Sequence, residues 1–201
     1  MSRLRFSLGS PLAVAIAAVA VLSAAGPAPA RAQTRMLRSP TVSATQIAFA
    51  YAENIWVVNR AGGMAQRLTS FPGTTGDPEF SPDGRLIAFT GTYEGNADVY
   101  VVPATGGEPK RLTWHTGADN VTGWTPDGKR IIFSSNYKNP HSGNFDLFLV
   151  NPDGSSLEQI TFDESFDGFP MFSPDGKKIV WASNRNDNNP GATNLFIADW
   201  Q

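Results

Sequence analysis

Two histidines and the absence of cysteine limit the catalytic chemistry available to this chain. His115 follows Trp114, and His141 lies in the polar segment 139–143. Nucleophilic hydrolysis needs a serine or cysteine whose proton is taken by a neighbouring base. The sequence has no cysteine and no Gly-x-Ser-x-Gly elbow that would present a serine to such a base. We therefore predict no catalytic residues, no cofactor and no enzymatic activity.

One acidic segment begins like a calcium-binding loop. Asp163, Ser165 and Asp167 place oxygen side chains at loop positions 1, 3 and 5, and Gly168 follows at position 6. Position 12, where such a loop needs a bidentate glutamate, is Pro174. Zinc would need three or four ligands at defined spacing, which two isolated histidines do not supply. We predict a polar turn at this segment and no metal ligands elsewhere.

The tryptophans divide into two groups by their sequence surroundings. Three lie within or beside apolar, strand-like segments and are predicted to pack in the core: Trp56, Trp124 and Trp181. Trp114 and Trp200 instead lie where such segments end. We predict that Trp114, His115 and Trp200 form an interaction surface, with packing against the domain as the alternative for both tryptophans.

These residues must be positioned by a repeated unit whose most regular feature is a Pro-Asp-Gly turn. The turn occurs three times, each time after an aromatic and a hydroxyl residue and before a short apolar run, at 80–84, 124–128 and 172–176. Proline fixes φ, and Asp and Gly tolerate left-handed geometry, so each turn predicts a tight hairpin. Its Asp residues are 44 and 48 residues apart, at 83, 127 and 175. A period of about 40–50 residues is typical of a repeat architecture.

The segments between the turns predict four antiparallel strands per unit. One strand of each unit starts with Asn or Asp and alternates β-branched with aromatic residues; these strands are predicted at 54–58, 98–102, 146–150 and 194–198. A glycine-bearing turn and a short fourth strand follow in three units, at 66–69, 110–113 and 158–161. Inner strands are predicted near 36–41, 77–81, 121–125 and 169–173. The pattern predicts an all-β fold, a β-propeller of about four blades that is either small or partial.

The propeller is predicted to follow a cleaved leader. Arg3 and Arg5 precede an apolar run at 11–26, and Ala30-Arg-Ala32 is a small-x-small cleavage site. This pattern predicts a signal peptide over 1–32, because the apolar run is shorter than the roughly 20 residues of a spanning helix. A retained N-terminal anchor is the alternative. The propeller then covers 33–201, with blades at roughly 36–76, 77–120, 121–168 and 169–201.

The charge balance argues against two classes of partner. Removing residues 1–32 takes away three arginines and no acidic residue, so the formal charge moves from −2 to −5. A mildly acidic domain with scattered Lys and Arg lacks the basic patch that binds nucleic acid or an anionic membrane. No stretch after residue 32 is long and apolar enough to cross a membrane. We predict no nucleic-acid partner and no membrane-spanning segment.

The repeats resemble a known family. The Phe-Ser-Pro-Asp-Gly-x-x-Ile-Ala-Phe pattern at 80–89, the Asp-Val-Tyr-Val-Val strand at 98–102 and the Gly-Gly-x-x-x-Arg-Leu-Thr ending at 106–113 resemble WD40-like PD40 repeats. Such repeats build TolB-like propellers and the N-terminal propeller of tricorn-type peptidases. Residues 36–136 are more similar to the tricorn type, and residues 144–200 to the TolB-like type. Relatives usually have six blades, so the count of about four departs from the family.

The resemblance implies binding rather than catalysis. By similarity to TolB-like proteins, the exported chain is expected in the periplasm, with other envelope proteins as partners. The alternatives are the N-terminal propeller of a tricorn-type (S41-like) peptidase without its catalytic domain, or a remnant fragment. The fourth blade stops before its last strand, and the segment 33–36 is the predicted filler. We expect either a ring closed by this segment or an open arc that forms a homodimer.

Overall fold

In the computed structural model, residues 37–186 and 192–201 are described, and they form four antiparallel sheets in chain order. Blade 1 comprises β1 (Arg38–Val42), β2 (Gln46–Tyr51), β3 (Asn54–Asn59) and β4 (Gln66–Arg67). Blade 2 comprises β5 (Thr75–Phe80), β6 (Leu86–Gly91), β7 (Asp98–Pro103) and β8 (Lys110–Arg111). Blade 3 comprises β9 (Asp119–Trp124), β10 (Ile131–Ser135), β11 (Asp146–Val150) and β12 (Glu158–Gln159). Blade 4 comprises β13 (Asp167–Phe172), β14 (Lys178–Ser183) and β15 (Asn194–Asp199).

The all-β prediction is confirmed for the part of the chain that the structure describes. Each sheet is a meander in which sequential strands pair, as a propeller blade requires. These residues contain no helix, and hence no helix that could cross a membrane. The predicted signal peptide and the predicted filler at 33–36 lie outside the described residues.

The three Pro-Asp-Gly turns have the conformation that the sequence predicts. Gly84, Gly128 and Gly176 have φ values of 71°, 70° and 70°. The amide of Gly128 donates to the carbonyl of Thr125 at 2.8 Å, and the Thr125 hydroxyl donates to Asp127 at 2.7 Å. The left-handed glycine therefore closes a turn in which the hydroxyl and carboxylate also have partners.

The inner strands of blades 2 to 4 begin two residues earlier than predicted, at 75, 119 and 167. The inner strands of blades 2 and 4 each contain a bulge, at which the pairing with the second strand shifts register. Asp77 and Phe169 lie in these bulges, with φ of 47° and 55°. Each of these residues precedes a proline. A bulge lets the strand continue across a proline that cannot donate to the ladder.

Neighbouring blades pack face to face through positions that repeat from blade to blade. We call the front face of a blade the side towards the next blade; it carries two residues of the second strand and two of the third. In chain order these four positions are Ala48, Ala50, Ile55, Val57; Ala88, Thr90, Val99, Val101; Ile132, Ser134, Leu147, Leu149; and Val180, Ala182, Leu195, Ile197. The first three front faces are buried, in junctions whose apolar clusters hold residues of both blades.

Blade 4 differs from the other three in two ways. Its sheet ends at β15 without a fourth strand among the described residues, as the sequence predicts. Its front face is uncovered within the described ranges, where Leu195 is 80% and Ile197 67% exposed. The described residues therefore form an arc with one apolar blade face exposed at its end.

Candidate functional site

The three residues predicted as an interaction surface occupy different environments. Trp114 follows β8 and is 71% exposed. His115 is turned into the junction of blades 2 and 3, with 15% of its side chain exposed. Trp200 follows β15 and packs edge-on against Phe172, with ring centroids 4.9 Å apart. Trp114 and Trp200 line separate cavities, so the structure does not bring the three together. Trp200 packs against the domain, which was the alternative prediction for this residue.

The exposed Trp114 ring is held in place by a buried ion pair. The Arg111 guanidinium lies 4.5 Å from the centroid of the Trp114 ring. The same guanidinium forms ion pairs with Glu94 and with Asp98, the latter at 2.8 Å and fully buried. Arg111 is therefore fixed from below, and cation–π attraction holds the indole above it. The arrangement presents a large aromatic side chain to solvent, with its ring against a guanidinium that two carboxylates hold in position.

Trp114 borders a groove of about 380 Å³ on the outer side of blade 2. Aromatic rings form its floor: Tyr93 lies 4.9 Å from Tyr100 and 5.4 Å from Phe71, measured between ring centroids. Charged residues also line it: Glu94, Glu108, Lys110 and Arg111. Burial raises the pKa of Tyr93 to about 12, so its hydroxyl stays protonated at neutral pH. An aromatic floor with a charged rim suits a peptide or protein ligand.

His115 pairs with a buried carboxyl group. Its Nε2 lies 3.3 Å from Asp119 Oδ2, and its ring lies 4.2 Å from the Tyr137 ring between centroids. Burial raises the pKa of Asp119 to about 7. Burial, and next the positive charge of Arg111, lower the pKa of His115. At neutral pH the imidazole is therefore mostly neutral while Asp119 is about half ionised, and no nucleophilic hydroxyl is hydrogen-bonded to the imidazole.

The position of Asp119 has a structural equivalent in the neighbouring blades. Thr75, Asp119 and Asp167 each begin an inner strand and are buried. The Thr75 hydroxyl donates to the carbonyl of Glu53 at 3.0 Å, and Asp167 forms an ion pair with Arg185 at 2.5 Å. Each residue therefore fastens the start of its inner strand. The same position in three blades favours a structural role for the His115–Asp119 pair.

A threonine after each fourth strand supports these junctions. Thr69, Thr113 and Thr161 accept hydrogen bonds from the backbone amides of Ile55, Val99 and Leu147 at 2.9, 3.0 and 2.8 Å. The Asn and Asp residues that start the third strands lie beside them, and Asn54 and Asp146 accept from the threonine hydroxyl at 3.2 Å. These Asx side chains thus bond across the blade, from the start of the third strand to the threonine after the fourth.

A second cavity, of about 490 Å³, lies among the inner strands of all four blades. Ser39 donates to Asp77 at 3.0 Å, and Thr41 donates to Glu79 at 3.2 Å, which links blades 1 and 2. Burial raises the pKa of Glu79. The exposed side chain of Phe169 contributes an apolar wall on the blade 4 side. Polar groups thus face an apolar wall across this cavity.

Sequence reasoning missed both the central cavity and the groove beside Trp114. A signal for the first was present, since Ser39, Asp77 and Phe169 each precede a proline at one position of the repeat. Those are the residues that adopt left-handed φ and line the cavity. The groove had no comparable signal, because Phe71 and Tyr93 lie in connections without a recurring motif.

The calcium-like segment forms a turn and an ion pair. Asp163 accepts from the Ser165 amide at 3.0 Å, whereas Asp167 is buried against Arg185. No group of three or more metal-ligating side chains is present within 37–186 and 192–201.

His141 is exposed in the connection between β10 and β11. Trp124, predicted as core, is buried, and its indole donates to the Glu79 carbonyl at 2.9 Å.

Comparison with known families decides the classification. The family described as "Tricorn protease N-terminal beta propeller domain" matches residues 34–168. The chain belongs to this family. The resemblance read from the repeats, to TolB-like and tricorn-type propellers, is thereby confirmed, and the matching family is a propeller domain.

Solved structures place this tricorn-type propeller among longer proteins. TolB from Acinetobacter baumannii is 30% identical with a TM-score of 0.67, over 82% of this chain and 41% of that one. The tricorn protease is 19% identical with a TM-score of 0.54, over 82% of this chain and 21% of that one, and shows the shared fold. A tricorn protease homolog of Streptomyces coelicolor is 44% identical over 55 residues, 27% of this chain and 5% of that protein. The chain thus spans less than half of each.

Proposed function

We propose that this chain is an exported, non-catalytic propeller that binds other proteins of the cell envelope. The observation that carries the proposal is the Trp114 surface, in which an exposed indole is fixed by Arg111 over an ion pair with Asp98. Tryptophan, tyrosine and arginine dominate the binding energy of protein interfaces. A side chain that is already ordered loses little conformational entropy on binding. The resemblance to TolB-like proteins supports the periplasm as the location.

The chemistry of the described site supports binding rather than turnover. His115 is paired with Asp119 and covered by Tyr137, so its imidazole is not presented to a substrate. His141 lies in an exposed loop, where a general base would lack a partner to orient it. The grooves offer aromatic and charged contacts, which are features of recognition surfaces.

A pull-down with matched variants tests the proposal. The bait is the mature protein, residues 33–201, presented to an envelope extract as wild type, Trp114→Ala and Met64→Ala. Met64 is the control because its side chain is 90% exposed and lies in the turn between β3 and β4. We expect partners that the wild type and Met64→Ala recover and that Trp114→Ala loses by about tenfold, as expected for a hot spot worth about 1.4 kcal/mol or more. Equal recovery by all three baits would contradict the Trp114 surface.

A second candidate function is the N-terminal propeller of a tricorn-type (S41-like) peptidase. It is supported by the family match over residues 34–168 and by the 44% identity to a tricorn protease homolog. A protease domain in the same transcript, or a peptidase recovered stoichiometrically with the bait, would favour this role. Envelope partners without peptidase activity would favour the first.

A further inference from the structure

The groove beside Trp114 is built from residues 71–114 alone. Its walls come from β7 and β8, from the turn between them, and from the connections that precede β5 and follow β6 and β8. Blade 2, to which most of these elements belong, lies between blades 1 and 3 in the chain. The shape of the groove therefore does not depend on the residues at either end of the chain.

The apolar surface of the groove consists of aromatic rings and a proline. Among the described residues that line it, none is Leu, Ile, Val or Met, and the apolar ones are Phe71, Tyr93, Tyr100, Pro109 and Trp114. An amphipathic helix docks through aliphatic and aromatic anchors in a hydrophobic groove, whereas aromatic-lined grooves bind proline-rich segments in the polyproline II conformation. The lining thus favours a proline-rich segment over a helix.

The indole of Trp114 also offers a free hydrogen-bond donor. Its ring is 71% exposed, and its N–H bonds to none of the described residues. The indoles of Trp56, Trp124 and Trp181 instead donate to Tyr51, Glu79 and Asp167. A polyproline II segment has no internal hydrogen bonds, so its carbonyls are available as acceptors. A donor beside an aromatic floor therefore suits such a segment.

The free charge on the rim of this groove is negative. Arg111 is engaged by its two carboxylate partners, and Lys110 donates to the carbonyl of Asp153 at 2.8 Å. Glu108 is exposed and forms no ion pair or hydrogen bond with the described residues. Electrostatic complementarity selects partners across an interface. The charge that complements Glu108 is an Arg or Lys side chain on the occupant.

We propose that this groove binds a proline-rich segment of a partner protein in the polyproline II conformation, with Arg or Lys at the end that meets Glu108. The proline rings pack against the aromatic floor, and a carbonyl of the segment accepts from the Trp114 indole. Such a segment is already extended when free, so binding orders it at little entropic cost. The proposal rests on the proposed function and names the class of partner.

A segment of this chain is the competing occupant. Residues 33–36 contain Arg35 and no proline, and residues 187–191 contain Pro190 and no basic residue. Residues 27–31, Pro-Ala-Pro-Ala-Arg, combine both but precede the predicted cleavage site. The required chemistry therefore favours a partner over these segments of the mature protein.

A labelled peptide, Arg-Ala-Pro-Pro-Ala-Pro, tests the proposal against the mature protein, residues 33–201, by fluorescence anisotropy. Two matched peptides separate the contributions: one has alanine in place of every proline, and the other has glutamine in place of the arginine. We expect the first change to weaken binding by about tenfold, because it removes the preformed conformation and the rings. The second should weaken it about twofold to fivefold, as for an exposed ion pair.

Three variants of the protein assign the contacts. Trp114→Ala should weaken binding of the arginine peptide by about tenfold. Glu108→Gln should weaken binding of the arginine peptide about twofold to fivefold and leave the glutamine peptide unchanged. Glu164→Gln is the control, because Glu164 is an exposed carboxylate between β12 and β13, outside the groove. Urea midpoints equal to that of the wild type show that each variant is folded.

The outcomes separate this proposal from the proposed function. Absence of peptide binding, including absence because a segment of this chain fills the groove, would overturn the proposal. Equal binding of the proline and alanine peptides would overturn it as well, and equal weakening of both the arginine and glutamine peptides by Glu108→Gln would overturn the charge assignment. If no peptide binds while the pull-down still depends on Trp114, the proline-rich class is refuted and the proposed function stands. If the peptide binds through Trp114 and no envelope partner does, the groove assignment stands and the proposed function fails.

Discussion

Substitution of Gly128 tests whether a left-handed turn fixes the blade register. Gly128 has φ of 70°, and a Cβ built there would lie 3.4 Å from Pro82 Cδ, an ordinary contact. Space is therefore not the obstacle, and the cost of a side chain is conformational. Left-handed backbone costs a non-glycine residue roughly 1–2 kcal/mol, less for asparagine and more for a β-branched residue. We expect Gly128→Asn to lose the least stability, Gly128→Ala about 1 kcal/mol, and Gly128→Val roughly 1–3 kcal/mol.

The assay is urea unfolding of the mature protein, followed by tryptophan fluorescence, with midpoints compared at constant slope. Gly143→Ala is the matched control, because Gly143 has no positive φ and a Cβ there would meet nothing within 4 Å. Its free energy of unfolding should stay within about 0.5 kcal/mol of that of the wild type. An unchanged midpoint for Gly128→Val, or equal losses for the asparagine and valine variants, would refute the conformational argument. Gly176→Ala should lose more than Gly128→Ala, because its Cβ would meet Pro126 Cβ at 2.9 Å.

Four further predictions address charge, processing, catalysis and assembly. Because burial raises the pKa of Asp119 from 3.8 to about 7, its contribution to stability is fully present below about pH 4 and is lost as pH rises from about 4 to about 7. Asp119→Asn should therefore gain stability relative to wild type over that interval in urea unfolding, and a constant difference across it would count against a buried neutral carboxyl. N-terminal sequencing of the exported protein should begin at Gln33, and an intact Met1 in the membrane fraction would contradict cleavage. Peptides and esters should not be hydrolysed, and turnover that disappears in His115→Ala or His141→Ala would reverse that expectation. Light scattering should find a dimer of the mature protein, since Leu195 and Ile197 are exposed on the blade 4 front face; a stable monomer would instead favour a ring closed by residues 33–36.

The local features of the fold were predictable because short motifs determine them. The Pro-Asp-Gly glycines have the expected left-handed φ, and the third strands start at the predicted residues 54, 98, 146 and 194. The inner strands of blades 2 to 4 start two residues earlier than predicted, and in blades 2 and 4 bulges at Asp77 and Phe169 let the strand continue past a proline.

The site was less predictable because its contacts join distant residues. His115 was predicted to belong to an interaction surface, yet Tyr137 covers it from 22 positions further along the chain. Trp114 read correctly as an end position, but its fixation depends on Arg111 and Asp98, which become neighbours only when β7 and β8 pair. Sequence spacing identified the blade, and only the paired sheet shows which charges meet.

The repeated front-face positions also determine how stability is distributed along the arc. Among the described residues, the extensive contacts of each blade are with its sequence neighbours, so its resistance to opening is close to the sum of its own sheet and the junctions on its two sides. Blade 3 has two buried junctions, whereas blade 4 has one junction, three strands and an exposed front face. Among the four described blades, blade 4 is therefore the one whose local unfolding costs the least free energy. A strand paired with β15 would therefore stabilise blade 4, but its exposed front face would still leave it with one junction fewer than blade 3.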